Sequence, residues 1–432
     1  MKNLLRNIAL TLLTASILTA WSAFSQDWPQ WRGPDRDGKV VGFTAPATWP
    51  SSLKQVWKVT VGAGESTPAL VGNKLYVFTR SAETEVLRCL DSATGNEIWK
   101  DEYDALPATG APGAHPGPRS SPTVTEGKVV TLGVRGMVSC LDAVTGKVLW
   151  RKDEFRNQPQ FFTAFSPLVD GGVVYLHLGG PVNGATPANG AVVAYDLATG
   201  EQKWRWTGDT PHYGSAVLAT IAGTKCLVSL TDQNLVGLNA ATGALLWKTA
   251  VGAQKNTTPV VVDQTVYTFV PGSSKAFKVN KSGDQFTVEE VWSSTENTVQ
   301  YNTPVFKNGL FYGLSQRGVY FALSAQNGKT VWSSDTAAAP AAPAAPAAGG
   351  GGARRGGGGG GGEFRSAIVD AGSVLFGVSP ASELIVMAPS DKNYTELARI
   401  KVADKKIAAH PIISGKRVFV KDEDSVALWT LD

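Results

Sequence analysis

Short apolar runs alternate with turn-forming residues along most of the chain. The runs Lys74 to Thr79, Lys128 to Gly133, Val173 to Leu178, Lys225 to Leu230, Thr265 to Val270, Leu310 to Leu314, Val374 to Val378 and Arg417 to Lys421 are near-continuously apolar and short. Runs of that kind predict buried strands, not amphipathic helices. Each follows a pair that opens with Ser or Thr and usually continues with Pro. These pairs are Thr67-Pro68, Ser121-Pro122, Ser166-Pro167, Ser215-Ala216, Thr258-Pro259, Thr303-Pro304, Ser366-Ala367 and, with His in place of the hydroxyl, His410-Pro411. They predict eight innermost strands.

Farther along each unit a second pattern repeats. Asp142-Ala-Val-Thr-Gly-Lys-Val-Leu-Trp150 has close copies in Asp91 to Gly95 ahead of Trp99, Asp196 to Gly200 ahead of Trp204, and Asn239 to Gly243 ahead of Trp247. A worn copy, Ser324 to Gly328, precedes Trp332. An Asp or Asn side chain can bond the backbone two residues on, and Gly supplies the positive φ that closes a tight turn. The Trp then opens an outer strand. The fifth unit keeps Val291-Trp292 without the turn, and the seventh puts Leu397-Ala-Arg-Ile-Lys401 in the Trp strand's place. A period of roughly forty to fifty residues is the size of one propeller blade. The pattern therefore predicts an all-β protein, an eight-bladed β-propeller of four-stranded antiparallel blades.

The last unit stops after its third strand, and Gln55-Val-Trp-Lys-Val-Thr-Val61 is a Trp strand with no turn before it. Pairing the two closes the ring with an N-terminal strand and removes an open sheet edge. The propeller is thus assigned to residues 55–432, with residues 26–54 as an N-terminal arm. That arm opens with Trp28-Pro-Gln-Trp-Arg-Gly-Pro and is too rich in Pro and Gly for a helix. It is expected to lie on the ring with Trp28 and Trp31 as anchors. Residues 1–25 read as a signal peptide: Lys2 and Arg6, an apolar run from Ile8 to Ala20, and small residues around Ala23 and Ser25. The run is shorter than a membrane span needs. The expectation is a periplasmic or secreted chain starting at Gln26, not membrane-spanning and without a lipidation Cys. Residues 336–362, Ala-Pro repeats running into a Gly tract, read as a disordered loop insertion within the ring.

Composition narrows the function classes. A formal net charge of +4 is too small to imply nucleic acid or an acidic membrane as partner. The three Cys form no disulfide framework, and Cys89 and Cys140 occupy one repeat position where other copies have Ala194, Gly237 and Ala322. The four His show no metal-ligand spacing. His177 falls on a second strand as a packed core residue, and His115 lies in an exposed Pro-Gly loop.

The repeat resembles the pyrroloquinoline-quinone-type propeller repeat of quinoprotein alcohol dehydrogenases and of BamB-like outer-membrane assembly propellers. In that fold the loop before each inner strand reaches the axis on one face. The resemblance therefore implies a channel-mouth ring of Glu65, Arg119, Phe165, Tyr213, Asn256, Tyr301, Asn302, Arg365 and His410, with His115 and His212 close behind. A quinoprotein reading implies pyrroloquinoline quinone with Ca²⁺ held by Glu and Asn, an Asp base, an Arg and commonly two adjacent Cys. Glu65 and Asn256 stand in the first and fifth units, across the axis from each other, no Asp stands in the ring and no Cys pair exists. The reading favoured is a non-catalytic binding or assembly scaffold at the cell envelope, a monomeric ring with an envelope protein or peptide as partner. The alternative is a periplasmic quinone-dependent oxidoreductase of alcohols or sugars.

Overall fold

The computed structural model describes residues 26–431 apart from 156–157, 181–188, 211, 253–255, 335–366 and 380. Residues 1–25, read above as a signal peptide, the whole of the 336–362 insertion and Arg365 lie outside the described residues.

Eight antiparallel sheets of four strands make up the molecule. The first blade runs Ala69–Val71, Lys74–Ser81, Thr84–Asp91 and Glu97–Asp104, from the inside outward. Blades two to seven repeat this order at residues 123–152, 168–206, 217–250, 260–294, 305–333 and 368–401. Blade eight takes three strands from residues 412–430 and its outer strand from Lys54–Thr60, which pairs with Ser425–Thr430. Every described second strand falls on or within a residue or two of its predicted run.

Inner strands begin two residues after the Ser or Thr, and the reason is visible in the hydrogen bonds. The hydroxyls link blades around the channel. Thr67 N–H donates to Ser121 Oγ, Ser121 N–H to Ser166 Oγ and Ser166 N–H to Ser215 Oγ, at 2.9–3.0 Å. Thr258 N–H likewise reaches Thr303 Oγ1, and His410 N–H reaches Thr67 Oγ1 across the seam. A buried N–H without an acceptor costs free energy, so a small hydroxyl at each blade start satisfies the next blade's donor.

The Asp-Thr-Gly turn links blades at the rim. Asp142 Oδ1 accepts from the N–H groups of Val144 and Thr145, and Gly146 takes φ of 74°. The Trp of the preceding blade then lies against that Gly: a Cβ on Gly146 would come within 2.6 Å of Trp99, and one on Gly243 within 2.5 Å of Trp204. Trp150 and Trp204 also donate their indole N–H to the next blade's turn carbonyls, Leu197 and Ala240. The motif is an inter-blade joint.

One expectation is corrected. The arm does not lie on the ring but runs into its centre. Trp28 bridges Leu70, Pro29 accepts from Val124 N–H, and Val40 N–H donates to Asp370 O, all on inner strands. The chain rises from the strand ends, where Asp27 meets Gly72 N–H and Gln26 O meets Ser414, to the strand starts at Trp31, then descends to Asp370. Trp28 and Arg32 are each 1% exposed. Pro and Gly kept this segment out of a helix, and two Arg gave it the donors to bond a channel of open strand edges.

Candidate functional site

The connections that lead from an outer strand to the next inner strand converge on the mouth of the channel. Between them is a cavity of about 300 Å³. Glu65, Arg119, Tyr213, Asn256 and Tyr301 from the expected ring line it. His115 lines it as well, which corrects the reading of an exposed loop histidine: its Nδ1 is 2.5 Å from Glu65 Oε1.

Three expected members do not line the cavity. Phe165 is buried with its ring edge-on to His177 at 6.0 Å. Asn302 is buried and donates Nδ2 to Leu314 O at 2.8 Å, tying its loop to the second strand of blade six. His410 is buried under Trp31, with ring centroids 4.6 Å apart. Phe165 and His410 serve packing, and Asn302 holds its loop by hydrogen bonds.

Residues not expected at the mouth complete the walls. Trp31, at the top of the arm, closes the inner end and donates its indole N–H to Thr258 Oγ1 at 3.0 Å. Phe161, 43% exposed, stands at the rim with its ring 5.9 Å from Tyr213. Its neighbour Phe162 has φ of 64°, a strained value for a bulky residue, under the Arg135 guanidinium. The signal for Trp31 was present in the aromatic arm; its depth was not.

The polar groups of the cup are engaged with one another. Arg119 donates to Phe161 O at 2.9 Å and to His115 O at 2.8 Å, stapling two neighbouring connections. Tyr213 Oη accepts from Phe161 N–H, and burial raises the phenol's pKa, so it stays a neutral hydroxyl. Beneath Glu65, Lys421 donates to Gly64 O, and burial lowers its pKa to about 8.

These residues do not fit a calcium-held quinone. Calcium takes six to eight oxygen ligands, typically with several carboxylates. Among the described lining residues Glu65 is the one carboxylate, and His115 already holds it. Among the described residues there is no group of three or more His, Cys, Asp or Glu suited to a metal. The three Cys are buried and separate. No helix among the described residues is long and apolar enough to cross a membrane.

Comparison with known proteins agrees with the blade pattern. Residues 82–334 match the family model described as outer membrane protein assembly factor BamB. The chain is 26% identical over 302 residues to the outer membrane protein assembly factor BamB of Burkholderia pseudomallei, covering 66% of this chain and 69% of that one. It is 34% identical over 143 residues to a quinohemoprotein alcohol dehydrogenase of Comamonas testosteroni, covering 33% of this chain. That match spans only 19% of the dehydrogenase's length. The crystal structure of a quinohemoprotein alcohol dehydrogenase from the same organism superposes with a TM-score of 0.68 at 16% identity, over 94% of this chain and 80% of that one. At that identity the likeness is one of fold.

Proposed function

The chain belongs to the family described as outer membrane protein assembly factor BamB, and from that premise we propose that it is a non-catalytic binding and assembly scaffold of the cell envelope whose binding face is the cup. The observation that carries the reading is how the cup is built. Seven of the eight inter-blade connections supply its walls, from Glu65 before blade one to Ala408 before blade eight, while Trp31 closes it from within. The eighth connection is the insertion outside the described residues. Concave sites that combine aromatic walls with convergent polar groups are where ligands and peptide side chains dock. Glu65 is engaged by His115 and Arg119 by main-chain carbonyls, which suits recognition better than acid–base chemistry.

A photoreactive residue at Phe161 tests this, with a second at exposed Thr242 in a turn on the opposite face as control. Crosslinks in intact envelopes are expected at Phe161 alone and are expected to disappear when Tyr213 and Tyr301 are changed to Ala. Equal crosslinking at both sites, or indifference to those changes, sinks the proposal.

The second reading, a quinone-dependent oxidoreductase, is favoured by the dehydrogenase relative. It calls for the melting temperature to rise by mass action on adding pyrroloquinoline quinone and Ca²⁺, together with dye-linked alcohol oxidation. The donor set of the cup argues for neither change.

A further inference from the structure

In a closed ring the innermost strand of every blade turns one edge towards the channel. Unpaired strand edges are templates for an extended peptide. Here they are met by the arm. Trp28 makes an antiparallel bridge to Leu70, and Lys39 a parallel bridge to Asp370. Between those bridges two guanidinium groups cross the channel in opposite directions. Arg32 donates to Thr303 O at 2.6 Å and Pro304 O at 3.1 Å, at the start of blade six. Arg36 donates to Pro167 O at 2.9 Å and Ser166 O at 3.1 Å, at the start of blade three.

What the arginines contact defines the kind of site. Apart from Gln30 Oε1, every acceptor in these bonds is a main-chain carbonyl. Burial lowers the pKa of Arg32 to about 10 and of Arg36 to about 9, so both are cations at neutral pH. The ring contributes four of these carbonyls, those of Thr303, Pro304, Ser166 and Pro167, and the arm's own Arg36 and Asp37 the other two; paired ring carbonyls of this kind are selective for arginine, whose planar fork reaches two acceptors at once. The arm folds back on itself through two tight turns, Gly33 N–H to Gln30 O and Arg36 N–H to Gly33 O, one wider closure, Gly38 N–H to Arg32 O, and side-chain bonds such as Gln30 Nε2 to Pro34 O and Arg32 Nε to Arg36 O. The ring's closing strand begins only at Lys54, beyond the exposed stretch around Ala47 and Thr48.

We propose that the channel is a binding site for a folded-back peptide carrying two arginines and two tryptophans, and that residues 26–41 are its resident ligand, separable from the ring that holds them. This does not depend on what the cup binds.

The test uses the full chain with a protease recognition sequence inserted after Thr48. After cleavage the arm is washed off in sub-denaturing urea, the urea is removed and the ring is offered a labelled synthetic peptide of residues 26–41. Uptake read by fluorescence anisotropy is expected, at least ten-fold weaker for the peptide with Arg32→Ala and Arg36→Ala. A ring that unfolds when the arm leaves, or that takes up neither peptide or both alike, overturns the proposal.

Discussion

His410 stands where the other described blades place a hydroxyl, and it shows what a single buried group imposes on the molecule. Neither ring nitrogen has a hydrogen-bond partner, and burial, with a smaller push from the Arg32 cation, lowers its pKa to about 3. His177 is in the same state: it is buried against Phe165, with a lesser influence from His212, and its pKa is again about 3. Both pKa values are depressed on folding, so the folded state favours the neutral imidazole. That contribution is complete above the unfolded value near 6.5 and is lost as pH falls towards 3, at roughly 1.4 kcal/mol per pH unit for each group. The carboxylates of Asp91, Asp142 and Asp196 are held below their ordinary value by the turn N–H and Thr or Lys partners, so their loss begins only near pH 4 and below. Urea midpoints between pH 7 and pH 4.5 are therefore expected to fall steeply, and to fall less steeply in a His177→Leu, His410→Gln double variant. Parallel slopes for the two proteins would show that the histidines are already solvated.

At the scale of the element, the turn and its Trp decide how blades join. Gly146 and Gly127 both have positive φ, 74° and 70°, but a Cβ on Gly146 would press into Trp99 while one on Gly127 meets nothing within 4 Å. Gly127→Ala is expected to cost about 1–2 kcal/mol, the left-handed penalty alone. Gly146→Ala adds an overpacking cost of about 1–3 kcal/mol, so urea unfolding is expected to separate the two variants clearly. Here the limits of reading sequence become physical. That Asp142 and Gly146 make a turn is local information and was legible. That Gly146 seats the preceding blade's Trp, or that Ser121 accepts a bond from Thr67, depends on partners 47 and 54 residues away, Trp99 and Thr67. Nothing in either residue's neighbourhood announces them. The cup was half legible for the same reason. The repeat phase pointed to Glu65, Arg119, Tyr213, Asn256 and Tyr301, but it carried no information on which rim side chains turn inward or that a segment outside the repeat would supply Trp31. One element feature escaped the pattern entirely. Every outer strand carries an extra residue beside its neighbour strand, such as Ile98 before Trp99 and Leu149 before Trp150. Such bulges twist an edge away from pairing with another molecule.

For the whole molecule, the seam in blade eight is the place where the ring's closure can be tested. Seven blades tie their outer strand to the third strand through a turn or hairpin, whereas Lys54–Thr60 reaches Ser425–Thr430 from the other end of the chain. Trp57 anchors it. The indole is 8% exposed, donates to Ser92 O at 3.3 Å, lies against Gly95 of blade one and has its ring 6.1 Å from Phe419. Trp204 makes the equivalent joint between blades three and four, but its strand is tethered by the Asp196 turn. Trp57→Ala and Trp204→Ala remove similar buried area and are each expected to cost about 3–5 kcal/mol. The consequences should differ in extent. Without Trp57 the closing strand is free to leave, because no covalent loop returns it, and the backbone of Ser425–Thr430 becomes an open edge. Without Trp204 the outer strand is kept in place by its turn. Amide hydrogen exchange is therefore expected to rise across Ser425–Thr430 in Trp57→Ala, with concentration-dependent association, and to rise only locally around the joint in Trp204→Ala. If protection at Ser425–Thr430 is unchanged in Trp57→Ala, the ring does not depend on this strand for its closure, and the hydroxyl link from His410 N–H to Thr67 would have to hold the seam.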